Sequence, residues 1–175
     1  GDPYWCDTYN KGQGKPISWS ICFGAEADDD EVPVPNVDFD VLPIRVQDWR
    51  QLVGYEIRWT DPINAETGDR YGLAYVFDHQ LISKGSIQIT ARNGTRFHIV
   101  ASGQNEEGQL FTISAAAEFQ GVHVYGSESD TDESIRTRLR QWLDDADLSG
   151  TRFKLGHNYD SGVRMGQSFF SPKTE

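Results

Sequence analysis

"GSIQITARNGTRFHIVASG", residues 85 to 103, decides the fold. In its first half Ile87, Ile89 and Ala91 alternate with Ser86, Gln88 and Thr90. In its second half Phe97, Ile99 and Ala101 alternate with polar residues. A period of two sends alternate side chains to opposite faces, the pattern of a half-buried strand. Asn93-Gly94 stands between the two runs. A type I′ turn needs positive φ at both central residues, and Asn and Gly adopt it most easily. The stretch therefore predicts an antiparallel hairpin with Asn93 and Gly94 at its tip.

The same period spreads outward in both directions. Toward the N-terminus, "VDFDVLPIRV" alternates Val37, Phe39 and Val41, then slips to Ile44 and Val46 across Pro43, which implies an edge, a bulge or a break. "GYEIRWT" sets Tyr55, Ile57 and Trp59 on one face, and "YGLAYVF" does so with Tyr71, Leu73, Tyr75 and Phe77. Toward the C-terminus, "LFTISAAAEF" and "GVHVYG" are expected to continue the meander after a turn in "GQNEEGQ". "TRFKLGH" and "VRMGQSFF" add two late strands.

One segment has the helical period instead. In "SDTDESIRTRLRQWLDDADLSG", Ile135, Leu139, Trp142 and Leu143 form one apolar stripe, predicting an amphipathic helix near residues 131–145. Ser129, Asp130 and Thr131 suit its start and Gly150 its exit. The fold class expected is α+β and mainly antiparallel: about nine short strands in a meander-rich sheet or barrel, with one late amphipathic helix. With 175 residues and no long linker, the chain reads as a single domain, 1–175, with a β-rich core over 37–175.

Residues 1–36 read as an irregular N-terminal segment, held by the only two cysteines, Cys6 and Cys22. They form no C-x-x-C pair, and His79, His98, His123 and His157 lack zinc-finger spacing around them. A disulfide across a polar, turn-rich loop is the simplest reading, stabilising by roughly 3 kcal/mol in the chain-entropy model. A disulfide places folding outside the reducing cytosol. The chain opens at Gly1 and its sole methionine is Met165, so a targeting segment is expected to have been removed upstream.

Sixteen basic residues face 27 acidic ones, a formal net charge of −11. That balance argues against nucleic-acid binding through phosphate neutralisation and against an anionic membrane surface; a basic protein partner fits it better. No apolar run approaches the length of a membrane span.

Chemical signatures are sparse. "DADLSG", Asp145 to Gly150, matches the first half of a calcium loop, but Gly156 stands where the bidentate Glu belongs. "KGQGK" lacks P-loop spacing. His98 and His123 face away from the apolar positions of their strands. In a simple meander Thr112 and Ser114 share that face between them, so a Ser-His arrangement is geometrically conceivable. No nucleophile elbow accompanies it. The expected assignment has no catalytic residue, no metal and no cofactor.

The leading functional expectation is an extracytoplasmic, non-enzymatic protein-binding module: an inhibitor, an immunity-type factor or an envelope assembly subunit. Its expected contacts are the aromatics near the cysteines, Tyr4, Trp5 and Trp19, with Asp28, Asp29 and Asp30 as an acidic rim. One alternative is a small-ligand carrier, since a long meander, a helix and a late strand are similar to lipocalin-type topology in element order. The other is a small hydrolase using carboxylates or the His98/His123 face.

Overall fold

A computed structural model describes residues 19–24, 36–66, 68–75, 78–158 and 164–173, the side chains of 155–158 and 164–165 excepted. Of it, 57% is strand, all antiparallel, with a single α-helix, so the mainly antiparallel expectation holds. Eleven strands are present among the described residues. They fall into two compact units, one of residues 19–42 and 53–118, the other containing 43–52 and the described part of 119–175.

The first unit is a curled, half-barrel sheet of seven strands. β1 (Trp19–Gly24), β2 (Asn36–Leu42), β4 (Gly72–Tyr75), β5 (His79–Asn93), β6 (Arg96–Asn105) and β7 (Leu110–Glu118) follow one another across it. β3 (Glu56–Trp59) pairs with β5 beyond the end of β4. β5 runs fifteen residues because bulges near Ser83 and Thr90 bend it, letting one long strand serve β4 and β3 in turn.

The β5–β6 hairpin forms where the alternation places it, and Ile87, Ile89, Phe97, Ile99 and Ala101 are buried on one face. Its tip is displaced by one residue from expectation. Asn93 pairs with Arg96, so Gly94 and Thr95 are the turn residues, and of these only Gly94 has positive φ, at 60°. A glycine at the first central position is the type II′ pattern, and Asn93 becomes the last rung of the ladder instead.

Residues 1–36 are not irregular throughout, as expected from the sequence. Trp19 to Gly24 form β1, with Trp19, Ile21 and Phe23 turned inward and Ser20, Cys22 and Gly24 exposed. β1 pairs with β2 in a ladder that a bulge interrupts opposite Val41, whose φ is 49°. Pro43 follows directly after β2 ends, the break its missing N–H predicts.

Aromatic rings fill the hollow of this sheet. Phe39 is fully buried and meets Phe23, Trp59 and Phe111 at ring separations of 6.3, 6.1 and 6.4 Å, while Trp59 stacks on Tyr71 at 5.0 Å. Trp59, Gly85, Gly103 and Phe111 stand in one row across β3, β5, β6 and β7. The glycines are what let the rings lie against the sheet: a Cβ at Gly85 would sit 2.8 Å from the Trp59 ring, and one at Gly103 would sit 2.7 Å from the Phe111 ring.

The second unit holds β8 (Val122–Ser127), α1 (Asp132–Arg140), β9 (Leu148–Gly150), β10 (Lys154–Asn158) and β11 (Arg164–Pro172). β11 is the centre of its sheet, pairing with β8, β9 and β10. The expected meander therefore breaks after β7, because β8 pairs with β11 and not with β7. Gly150 likewise serves β9 rather than the helix exit: it faces Phe170, whose ring fills the space a side chain would need.

α1 is shorter than the 131–145 expected. Thr131 caps it in a reciprocal capping box with Ser134, and Asp132 and Glu133 occupy the positive end of its dipole. Ile135 and Leu139 are buried, and Leu143 stays buried in the turn that follows the helix. Ahead of the cap, the Asp130 carboxylate accepts from the Ser127 N–H (2.8 Å), Ser134 Oγ (3.0 Å) and Arg138 Nη2 (3.0 Å). Burial alone would raise its pKa, but these hydrogen bonds and the Arg138 charge outweigh it and hold the group below the usual carboxylate range. A depressed folded value adds stability above roughly pH 4 that is lost as pH falls through the folded value. Asp130→Ala is expected to cost about 2 kcal/mol at pH 7 and to flatten the loss of stability on acidification below about pH 5. Urea titrations at pH 7 and pH 3 measure both effects, and an unchanged acid sensitivity would put its source elsewhere.

Candidate functional site

β7 is the last strand of its sheet among the described residues. One side of this strand pairs with β6 over nine positions without a register shift, from Gln104 opposite Leu110 to Arg96 opposite Glu118. No other described strand pairs with it, and no described backbone group bonds to its outer edge. Its sequence, LFTISAAAE, has no proline, no glycine and no charge before Glu118. Natural edges are usually blunted by lysine, proline or a bulge; β7 has none of these. Leu110 is 81% exposed, and Thr112, Ser114, Ala116 and Glu118 follow on the same exposed face. Phe111, Ile113, Ala115 and Ala117 face inward and are half-buried.

The outer face beside this edge is polar and hydroxyl-rich. Arg58, Ser86, Ser102 and Thr112 form one row across the four strands, with Ser86 Oγ and Ser102 Oγ 3.3 Å apart. An open groove of about 490 Å³ crosses it, lined by Arg58, Lys84, Gln104 and Leu110 as well as these hydroxyls. Arg58 is engaged with Glu56 at 2.6 Å.

The structure joins one half of the expected Ser-His arrangement. Ser114 Oγ lies 3.3 Å from His98 Nε2, and Thr90 Oγ1 lies 2.7 Å from His98 Nδ1. Thr90 also donates to the His98 carbonyl at 3.1 Å. In the tautomer with Nδ1 protonated, Nδ1–H donates to Thr90 and Nε2 accepts from the Ser114 hydroxyl. That is the tautomer of a general-base dyad. All three side chains are exposed, so bulk water surrounds them, and a threonine hydroxyl offers no charge to stabilise an imidazolium. The bulge at Thr90 is what turns its side chain toward His98, a feature the two-residue period does not foretell. His123 lies in the other unit, on β8, its ring 4.6 Å from Phe169, and burial lowers its pKa.

The other expected site residues fare unequally. Tyr4, Trp5, Cys6, Asp28, Asp29 and Asp30 lie outside the described residues. Trp19 is only 6% exposed, an inward-facing residue of β1, so it is a core side chain and offers no contact surface. Cys22 is a free, exposed thiol on β1, opposite Asp38 of β2, and not half of the expected disulfide in this structure. As a thiol its pKa is pushed up to about 11 by the hydrogen bond to Asp38, by burial and by the charges of Asp38 and Asp40.

Asp145, the first position of the half calcium loop, is engaged by arginines: Arg136 Nη1 at 2.5 Å and Arg140 Nε at 3.0 Å. Burial raises this carboxyl, and the two guanidinium hydrogen bonds outweigh it and lower the pKa overall. Asp145 thus ties α1 to the chain leading into β9. Among the described residues no cluster of three or more His, Cys, Asp or Glu is placed to hold a metal, and no helix is long and apolar enough to cross a membrane.

The free edge itself went unread in the sequence. Eight consecutive uncharged residues, Leu110 to Ala117, with three alanines at their end, were the available signal. Comparison with protein-family models, with curated proteins and with solved structures finds no match to this chain.

Proposed function

We propose that the chain is an extracytoplasmic, non-enzymatic protein-binding module, and that a partner polypeptide docks by adding a strand to β7. The observation that carries this reading is the nine-residue, bulge-free edge of β7, uncharged from Leu110 to Ala117 and unpaired on its outer side among the described residues. Strand addition draws affinity from main-chain hydrogen bonds and specificity from alternate side chains. Here those side chains are Leu110, Thr112, Ser114 and Ala116 on the exposed face. The acidic balance of the chain, −11, favours a partner with basic flanks. The aromatic filling of the half-barrel speaks against the carrier alternative, since Phe39, Trp59 and Phe111 occupy the hollow a ligand would use. The solvent-exposed His98 network speaks against a hydrolase.

The test uses the chain as bait for secreted and envelope extracts, in three forms: unmodified, Thr112→Lys/Ala116→Lys, and Ser102→Lys. All three changes fall at exposed positions, two on the edge and one on the neighbouring strand. Lysines on an edge block strand addition. A single stoichiometric partner retained by the unmodified and Ser102→Lys baits, and lost by the double variant, is the expected result. A partner held equally by all three would place docking elsewhere, and no partner at all would remove the reading.

Location outside the cytosol rests on a proposed Cys6–Cys22 disulfide, Cys22 being a free thiol in this structure. Intact mass under non-reducing, denaturing conditions is expected to show no alkylatable thiol. In the reduced folded chain, Cys22 is expected to alkylate slowly at pH 8 and faster as pH approaches 11. Two free thiols in the purified secreted chain would remove the disulfide and this support for location with it.

A further inference from the structure

The edge of β7 is self-complementary. We infer that in the free protein this edge is covered by the same edge of a second copy, the two strands pairing antiparallel about a two-fold axis through Ser114. The inference rests on the reading of β7 as a docking edge, and it names that edge's first occupant, one an incoming partner would have to displace.

Three features of the strand select this pairing. The first is register. An axis through Ser114 matches every residue of the nine: Leu110 opposite Glu118, Phe111 opposite Ala117, Thr112 opposite Ala116, Ile113 opposite Ala115 and Ser114 opposite itself. Moving the axis one residue, to Ile113 or to Ala115, leaves two positions of each copy's strand without a partner, Ala117 and Glu118 in the first case and Leu110 and Phe111 in the second.

The second is size. On the inward face the large side chains, Phe111 and Ile113, precede the small ones, Ala115 and Ala117, so antiparallel self-pairing sets large against small at all four inward rungs. These four are only half-buried in the single chain and have area left to cover. An axis at Ile113 sets isoleucine against isoleucine, and one at Ala115 sets alanine against alanine.

The third is charge. Two copies of a chain at −11 repel, and they approach most easily along a strand whose only charge is at one end. The one acid of β7, Glu118, lies at the far end of the ladder from its symmetry mate. It stands opposite Arg96 of its own sheet and accepts a hydrogen bond from Thr95 Oγ1 at 3.1 Å. A two-fold, isologous contact also closes on itself, so pairing stops at two copies at this edge.

The experiment uses the full chain with its native cysteines. Ser114→Cys and, separately, Ser102→Cys are treated with oxidised glutathione, and linked peptides are mapped by mass spectrometry. Directly opposed residues of an antiparallel pair have Cα atoms about 4.5–5.5 Å apart, within disulfide range. A 114-to-114 crosslinked dimer from Ser114→Cys, with no 102-to-102 link from Ser102→Cys, is the expected result. Sedimentation of the unmodified chain should show a concentration-dependent dimer that Thr112→Lys/Ala116→Lys returns to monomer. A chain that sediments as monomer at every concentration and gives no 114-to-114 link overturns the self-pairing. If that monomer still loses its extract partner on the double-lysine change, the docking edge stands without self-pairing; if it does not, both readings fall.

Discussion

Phe39→Ala is expected to destabilise the chain by about 4 kcal/mol, within the range for emptying a large aromatic site in a core. Phe39 has no exposed surface and, among the described residues, is the only ring in contact with Phe23, Trp59 and Phe111 together. Its removal leaves a void that those neighbours cannot close. Trp59 is held from behind by Tyr71 and by the hydrogen bond from its Nε1 to the Ile82 carbonyl at 3.1 Å, and Phe111 is held against Gly103. The loss carries into function, because Phe111 is part of β7 and its ring anchors that strand to the hollow of the sheet. Phe39→Leu keeps most of the volume and is expected to recover more than half of the loss. Equilibrium denaturation of both variants gives the numbers, and a cost below about 1 kcal/mol for Phe39→Ala would mean the ring is not the keystone of this packing.

Gly121→Ala is expected to cost a similar amount for a different reason. Gly121 has a φ of 139°, a region that side-chain-bearing residues avoid. A Cβ there would also overlap the Phe170 carbonyl oxygen and stand 2.9 Å from the Phe169 ring. Strain of roughly 1–3 kcal/mol from the backbone adds to roughly 1–3 kcal/mol from overpacking. Two glycines separate these contributions. Gly94 has a φ of 60° with nothing within 4 Å of its Cβ position, so Gly94→Ala carries the backbone cost alone. Gly24 has open space and no positive φ, so Gly24→Ala is expected to be near neutral. If Gly121→Ala proved no worse than Gly94→Ala, the close approach of β11 to Gly121 would be absent in solution.

What could be read from the sequence was what local periodicity encodes. The hairpin at residues 85–103, the capped stripe of α1 and the break at Pro43 all follow from neighbours along the chain. What escaped was pairing at a distance. "WSICFG" does alternate Trp19, Ile21 and Phe23, but six residues beside a cysteine loop give a weak signal, and its partner β2 begins twelve residues beyond its end. "EFQG", residues 118–121, has the length of a hairpin turn, and nothing local says that Gly121 instead delivers the chain to β11. The same failure hid the site. A strand read as one more turn of a meander has both edges filled, and it is the departure of β8 to β11 that leaves the outer edge of β7 unpaired among the described strands. The His98 network was half legible for the same reason: Ser114 follows from face parity, whereas Thr90 arrives through a bulge.

Amide hydrogen exchange along Leu110–Glu118, read residue by residue by NMR, tests the docking edge most directly. In a dilute, monomeric chain the amides of β7 should alternate, those directed at β6 protected and those directed outward exchanging fast. Saturation with the captured partner should protect the outward set and leave the rest of the sheet nearly unchanged. Uniform protection of β7 in the dilute chain alone, or an outward set still unprotected when the partner is bound, would contradict the proposal that this protein works by accepting a strand at β7.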